Sequence, residues 1–243
     1  MKTRTLVWAM YIVTALFVAG LIAQLAISVA YAEVPTSWNA TKNAASDEIY
    51  FDQTATFYCG CEMTSHDDSD GSGNVDHTAC GYEGPDTHSH RADRLEWEHV
   101  VPASLMPARY FRCWVDEGRD HCERNSQESR DMIFDLHNLV PSVGQVNALR
   151  SNDRYGEIEG EEREFGSCTV EDQKGLFEPA DDQRGDVARV WLYMNWKHGV
   201  EIPEDELRMF IRWTVTDPVS EWEIERDKRI TAIQGNSNPW VSN

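Results

Sequence analysis

Residues Leu6 to Ala30 form an almost unbroken apolar run behind Lys2 and Arg4, and this run constrains everything downstream. Ala30-Tyr31-Ala32 supplies the small-x-small pattern of a signal peptidase site, and a polar, acidic chain begins at Glu33. At about 25 residues the run exceeds the ~7 to 15 of an ordinary signal core and is long enough to span a bilayer. Residues 1–32 therefore read either as a cleaved export signal or as a retained anchor, and both readings put residues 33–243 outside the cytoplasm. The 211 residues that remain can bury one sizeable core, and no linker divides them, so a single domain is expected.

An oxidising compartment gives the cysteines their meaning. All six (Cys59, Cys61, Cys80, Cys113, Cys122 and Cys168) lie in the exported part, and an even number there favours three disulfides. Structural zinc is the weaker reading, because Cys59-Gly60-Cys61 is too tight for paired zinc ligands and no second Cys pair has the two-residue spacing. Spacing leaves the connectivity open, apart from marking Cys113 and Cys122 as a plausible local loop.

With 22 basic against 42 acidic residues the chain carries a net charge of −20, and losing Lys2 and Arg4 lowers it to −22. Such a balance opposes any polyanionic partner unless charge is arranged locally. Residues 91–130 hold seven Arg against eight Asp or Glu, so that stretch is near neutral. Five Lys against seventeen Arg, with acids covering the rest, also suits a saline habitat, where a Debye length of ~3 Å at ~1 M salt screens distant repulsion and leaves close Arg to phosphate contacts intact.

Periodicity predicts a first helix over residues 35–49 and a short strand over residues 54–59. The polar stretch 66–76 has the oxygen-rich, glycine-turned look of a calcium loop, with Asp68, Asp70 and Asp76 as possible structural Ca2+ ligands. The terminal bidentate Glu of such loops is missing, since Ala79 occupies that position, and a solvated surface loop is the plainer reading. A strand is expected over residues 95–101, stopped by Pro102. Residues 113–130 read as an irregular, disulfide-pinned loop carrying Arg119 and Arg124. A helix is expected from Asp135 towards Leu149, with Asn138 at its start and Pro141 in its first turn. Val187, Val190, Trp191 and Met194 mark a later helix ending at Gly199, and Leu207, Phe210, Ile211 and Thr214 mark the next. Ser220 and Glu223 form a capping-box pattern for a final helix ending near Gly235. The expected class is α+β: a mostly helical single domain with a small antiparallel sheet, stapled by disulfides, and a cleft where the 95–101 strand meets the 135–149 helix.

The chemistry-bearing residues sit at that junction. Hydrolysis of a phosphodiester needs a deprotonated water, charge relief on the phosphorus and help for the departing oxygen. His99 suits the first task, since an imidazole with a pKa of ~6.5 takes a water proton near neutrality. Glu98 and Asn138 offer two oxygen ligands to a hard ion such as Mg2+, which keeps several waters and leaves room for a phosphate. Arg119 is the candidate phosphate clamp. Asn147 and Arg150 either face the same cleft or are solvated. Neighbours on an ideal strand point to opposite faces, so Glu98 and His99 share a cleft only if the strand twists or ends there. The bland alternative is a buried His bonded to an acid, with Asn138 merely capping a helix.

Several strings of this chain then settle into one pattern: Phe57-Tyr58-Cys59-Gly60-Cys61, Glu96-Trp97-Glu98-His99-Val100-Val101-Pro102-Ala103, Cys113-Trp114, His137-Asn138-Leu139, Pro141-Ser142-Val143-Gly144 and Glu225-Arg226-Asp227. In this order they resemble the endonuclease I family of periplasmic and secreted non-specific nucleases, of the ββα-metal group. The resemblance implies His99 as general base, Glu98 and Asn138 as Mg2+ ligands, with Mn2+ or Ca2+ as substitutes, and Arg119 as the phosphate-stabilising arginine. It also implies a monomer that cleaves DNA, and RNA, without sequence preference to leave 5'-phosphate ends. Ile224 stands where some relatives have Cys, consistent with the even cysteine count. The competing class is a secreted, disulfide-rich Ca2+-binding protein without catalysis. A serine hydrolase has little support, because no Gly-x-Ser-x-Gly elbow occurs.

Overall fold

The computed structural model describes residues 34–65, 72–160 and 164–242. The proposed export segment, and with it the choice between signal and anchor, lies outside these residues. Helices and helical turns take up about half of them, beside two small sheets and three disulfides.

The chain opens with helix α1 (Trp38–Ala44), capped by Ser37 accepting from the Ala40 N–H, and continues as a π-helical turn over Ala45–Ile49. The strand expected over 54–59 does not form. Cys59 bonds to Cys168 and Cys61 to Cys80, so the two arms of the Cys59-Gly60-Cys61 turn are pulled to different partners, and Gly60 takes the left-handed backbone that the reversal requires. Pairing begins only beyond the turn, in β1 (Glu62–Ser65), which runs antiparallel to β2 (Gly73–Asp76). The second half of the expected calcium loop is thus a strand.

Strand β3 (Arg94–His99) forms close to its expected bounds and stands between β2 and β4 (Leu139–Val143) in a four-stranded antiparallel sheet of order β1-β2-β3-β4. The expected helix from Asp135 is overturned here. Leu136–Asn138 makes one tight helical turn, the chain then extends, and a helix, α5 in chain order, begins only at Gly144 and runs to Arg150. Leu139-Val140-Pro141-Ser142-Val143 is rich in β-branched residues, wholly buried, and biased to extended backbone ahead of its proline. Pro141 is tolerated because β4 lies at the sheet edge, where no ladder N–H is needed on its outer side; its carbonyl there accepts the Phe57 N–H at 2.7 Å.

The stretch expected to be an irregular loop is helical: α2 (Arg112–Glu117), α3 (Arg119–Asn125) and α4 (Gln127–Ile133). Its dense charge resolves into pairs four residues apart, Arg112 with Asp116 and Arg119 with Glu123, and Cys113–Cys122 ties α2 to α3. A second sheet, which the sequence did not announce, combines β5 (Arg154–Tyr155), β6 (Glu171–Gln173) and β7 (Leu176–Glu178), with β5 parallel and β6 antiparallel to the central β7.

The last three helices form as read: α6 (Arg184–His198), α7 (Glu204–Thr216) and α8 (Glu221–Gln234). Helix α6 is buried on every side from Val187 to Met194, as expected of the central rod of a core. On α7 the buried face is Met209, Phe210 and Trp213, whereas Ile211 stays 52% exposed, one position off the expected stripe. The capping box of α8 is complete, and Gly235 ends it in left-handed conformation. From α8, Arg226 donates to the carbonyls of Leu136, His137 and Leu139 and to the Tyr50 hydroxyl, clamping the turn that feeds β4.

Helices α6 and α8 are joined by a buried bidentate pair, Arg189 Nε to Glu223 Oε1 at 2.5 Å and Nη2 to Oε2 at 2.8 Å. Arg189→Met leaves that buried carboxylate with the Ser220 N–H but no cation, and is expected to cost about 3–5 kcal/mol in chemical denaturation. A loss under about 1 kcal/mol would show that the two helices are held by apolar packing alone.

Candidate active site

The end of β3 opens into a cleft of about 400 Å³. Glu96 and Glu98, two residues apart, share the strand face that meets α5. There Arg150, almost wholly buried, donates from Nη1 to Glu98 Oε1 at 2.6 Å and to the His99 carbonyl at 2.9 Å, and from Nη2 to the Val100 carbonyl. Its guanidinium lies 4.9 Å from the centre of the Tyr155 ring. Burial pushes the Glu98 carboxyl up to about 7, against the downward pull of Arg150 and of a hydrogen bond from Tyr58.

His99 belongs to the opposite face, yet it lines the same cleft because the strand stops there. Its ring stacks on Trp38 at 5.1 Å with 18° between planes. Nε2 lies 2.7 Å from the Ile133 carbonyl, an acceptor only, so Nε2 carries the proton and donates, and Nδ1 is left as the basic nitrogen. Burial, and next the nearby Arg119 guanidinium, push the imidazole down to about 4, which keeps it neutral at physiological pH.

Arg119, the first residue of α3, also lines the cleft. Its Nε donates to Glu123, which orients the guanidinium with the Nη groups left to meet a ligand.

Asn138 departs from its expected place. It is fully buried away from the cleft, with Oδ1 accepting the Val101 N–H at 2.7 Å and Nδ2 donating to the Val101 carbonyl at 3.0 Å, so both ends of the amide are engaged. Asn147 on α5 lines the cleft instead; its Nδ2 donates to Glu96 Oε2 at 3.0 Å, which turns Oδ1 into the available atom. The structure therefore brings together Glu98, His99 and Arg119 and leaves Asn138 out. The helical spacing of Asn147 and Arg150 was the signal in the sequence, but only the late start of α5 aims both at β3. Trp38 gave no local signal at all, being 61 residues from the histidine it stacks on.

Among the described residues no three His, Cys, Asp or Glu side chains converge on a point. The cleft offers one carboxylate, Glu98, and the amides of Asn147 and Asn152, a hard and sparse donor set suited to an ion that retains most of its waters rather than to zinc. Of the residues expected to hold calcium, Asp68 and Asp70 lie outside the described residues. Asp76 ends β2, and its carboxylate accepts from the Thr78 hydroxyl at 3.0 Å and the Ala79 N–H at 2.9 Å.

One cleft thus gathers a carboxylate, an imidazole and an arginine at the end of a strand. The chain belongs to the endonuclease I family, whose sequence pattern it matches over residues 36–243. It is 33% identical over 223 residues to an extracellular deoxyribonuclease of Aeromonas hydrophila, covering 90% of this chain and 94% of that one. A periplasmic deoxyribonuclease of the same organism is 35% identical over 198 residues, 80% and 81% of the two chains. Endonuclease-1 of Buchnera aphidicola subsp. Acyrthosiphon pisum is 36% identical over 198 residues, 81% and 77% of the two. Membership of a nuclease family disfavours the reading as a non-catalytic Ca2+-binding protein.

The imidazole environment is directly measurable. In metal-free protein, NMR titration of His99 is expected to show a midpoint near 4, with the ring neutral above it and cationic below, and Arg119→Ala should raise that midpoint. A midpoint at the ordinary ~6.5 would mean that the ring is more solvated than this geometry implies.

Proposed function

We propose that this cleft hydrolyses phosphodiester bonds of DNA, and of RNA, endonucleolytically and without sequence preference, leaving 5'-phosphate ends. The observation that carries the reading is the division of labour on His99: one ring nitrogen tied to a backbone carbonyl, the other left basic in a cleft shared with a carboxylate, an amide oxygen and an arginine. We read β3, β4 and α5 as the ββα-metal motif of the family, with Glu98 and Asn147, rather than Asn138, as the protein ligands of a divalent ion. Mg2+ fits best, with Mn2+ or Ca2+ as substitutes.

His99 Nδ1 takes a proton from water as the water attacks the phosphorus, and the bond from Nε2 to Ile133 fixes the tautomer that permits this. Arg119 donates from its Nη groups to the phosphate oxygens, holding the ester in line and opposing the charge that grows on it. Arg150 holds the Glu98 carboxylate in place. When bound, the divalent ion supplies charge relief on the phosphate and assistance to the departing 3' oxygen. Phosphate contacts by arginine fix position without reading bases, in keeping with a non-specific enzyme. Three disulfides, and the extracellular and periplasmic names of the relatives, support a site of action in the periplasm or outside the cell, and we read the protein as a monomer.

Supercoiled plasmid provides the test: nicking by oxidised protein should stop in EDTA and resume with Mg2+. His99→Ala is expected to lower the rate about 10²- to 10⁴-fold with DNA binding kept, and more than a few per cent of wild-type nicking would remove His99 from the role of base. The two asparagines should separate cleanly. Asn147→Ala is expected to raise the Mg2+ needed for half-maximal rate roughly tenfold or more. Asn138→Ala is expected to cost stability, about 1–3 kcal/mol for each buried group left unpaired, without a matching change in Mg2+ response. The reverse pattern would return the ligand role to Asn138.

A further inference from the structure

From His99 to Val115 the chain carries no acidic residue, in a protein that has 42 of them among 243. On that flank stand Arg109, Tyr110 and Arg112, all exposed, with 73% of the Tyr110 surface open to solvent. Arg109 sits at the edge of the cleft, because one of its Nη groups donates at 2.8 Å to the carbonyl of Ser104, a residue of the cleft wall. The same guanidinium lies 5.0 Å from the centre of the Tyr110 ring. Beyond them a groove of about 460 Å³ continues past Arg109 and Tyr110 towards Arg154, with Glu201 as its one carboxylate.

We propose that Arg109 and Tyr110 form a subsite for a nucleotide flanking the scissile phosphate, whose base stacks on the Tyr110 ring while its own phosphate is met by Arg109. The inference rests on the nuclease reading above and deepens it: the occupant is the single strand that leaves the cleft past Ser104. Single exposed aromatics are ordinary on protein surfaces. This one differs in being coupled through Arg109 to the cleft wall and in lying on a stretch, His99 to Val115, that holds no acidic residue. Every base has a π face, so stacking on tyrosine tolerates all sequences, and a guanidinium beside the ring serves both the ring and the backbone. The charge logic is also local, since Arg109 has no carboxylate partner among the described residues while Arg112 is paired with Asp116 and Arg154 with Glu206. Arg109 is thus the arginine of the flank that a phosphate reaches without displacing an acid.

Steady-state cleavage of a single-stranded oligonucleotide, set against hydrolysis of methyl p-nitrophenyl phosphate, whose one ring departs as the leaving group and which carries no flanking nucleotide, tests the subsite. Tyr110→Ala should raise the oligonucleotide KM roughly 5- to 100-fold with a much smaller change in kcat, and Tyr110→Trp should restore it. The loss on the small ester should be smaller by about fivefold or more. Arg109→Ala should raise the oligonucleotide KM and reduce the slope of its salt dependence by about one ion. The subsite is overturned if Tyr110→Ala leaves the oligonucleotide KM within about twofold, or if both substrates suffer equally, which marks a purely structural effect. Wild-type protein that cleaves neither substrate overturns the nuclease reading itself, and the subsite with it.

Discussion

The guanidinium of Arg150 is the contact on which the rest of the site depends. It reaches from α5 to the Glu98 carboxylate and to two consecutive carbonyls, those of His99 and Val100, at the point where β3 ends. A strand terminus has unpaired carbonyls by construction, and here a single planar donor satisfies two of them while holding the neighbouring carboxylate. Burying a carboxylate costs several kcal/mol unless it is paired, and burial does drive the Glu98 carboxyl upward. Arg150 offsets that cost, and Tyr155, stacked on its face, and Tyr58, bonded to Tyr155 at 2.5 Å, close the network from below. The pair thus places a charge-bearing oxygen at the floor of the cleft and, through the same atoms, fixes the backbone from which the His99 side chain projects.

Two further clamps hold the other wall. Arg226 of α8 grips three carbonyls around the turn before β4, and Asp135, at the start of that turn, accepts from Tyr193, from Gln234 and from the His137 N–H. His198 Nε2 lies a further 2.8 Å from the same carboxylate. Surrounded by donors, Asp135 is held well below the usual carboxylate range despite its burial. These contacts fix the register of β4 against β3. Because α5 follows β4 directly, a slip of one residue would rotate Asn147 and Arg150 away from the cleft.

The parts of this fold that were legible in the sequence are those decided by local chemistry. Ser220 and Glu223 announced their capping box, Gly199 and Gly235 their helix ends, and Pro102 the end of a short strand. What was not legible was decided by tertiary context. Residues 139–143 looked like the start of a helix because Asp135 caps a turn and Pro141 is permitted early in a helix, but one helical turn does satisfy the cap, and burial on both faces then favours a strand. The charge-dense stretch 113–130 looked irregular because charge masks helices whose stabilising pairs lie along their own surfaces. At the site Glu98, His99 and Arg119 share one cleft, whereas Asn138 lies outside it, a displacement that follows from the strand standing where a helix was expected.

The two asparagines near the site carry a physical lesson. Asn138 and Asn147 are nine residues apart, one on each side of a buried strand, and the same side chain does opposite work in the two places. At 138 the amide pairs with both backbone groups of Val101, extending the sheet beyond its last ladder bond, and it is fully buried outside the cleft. At 147 only the Nδ2 end is bound, by a carboxylate, which accepts and never donates; the amide must therefore present its oxygen to the cleft. The contrast between the two asparagines is thus one of which end of the amide the surrounding protein has already used.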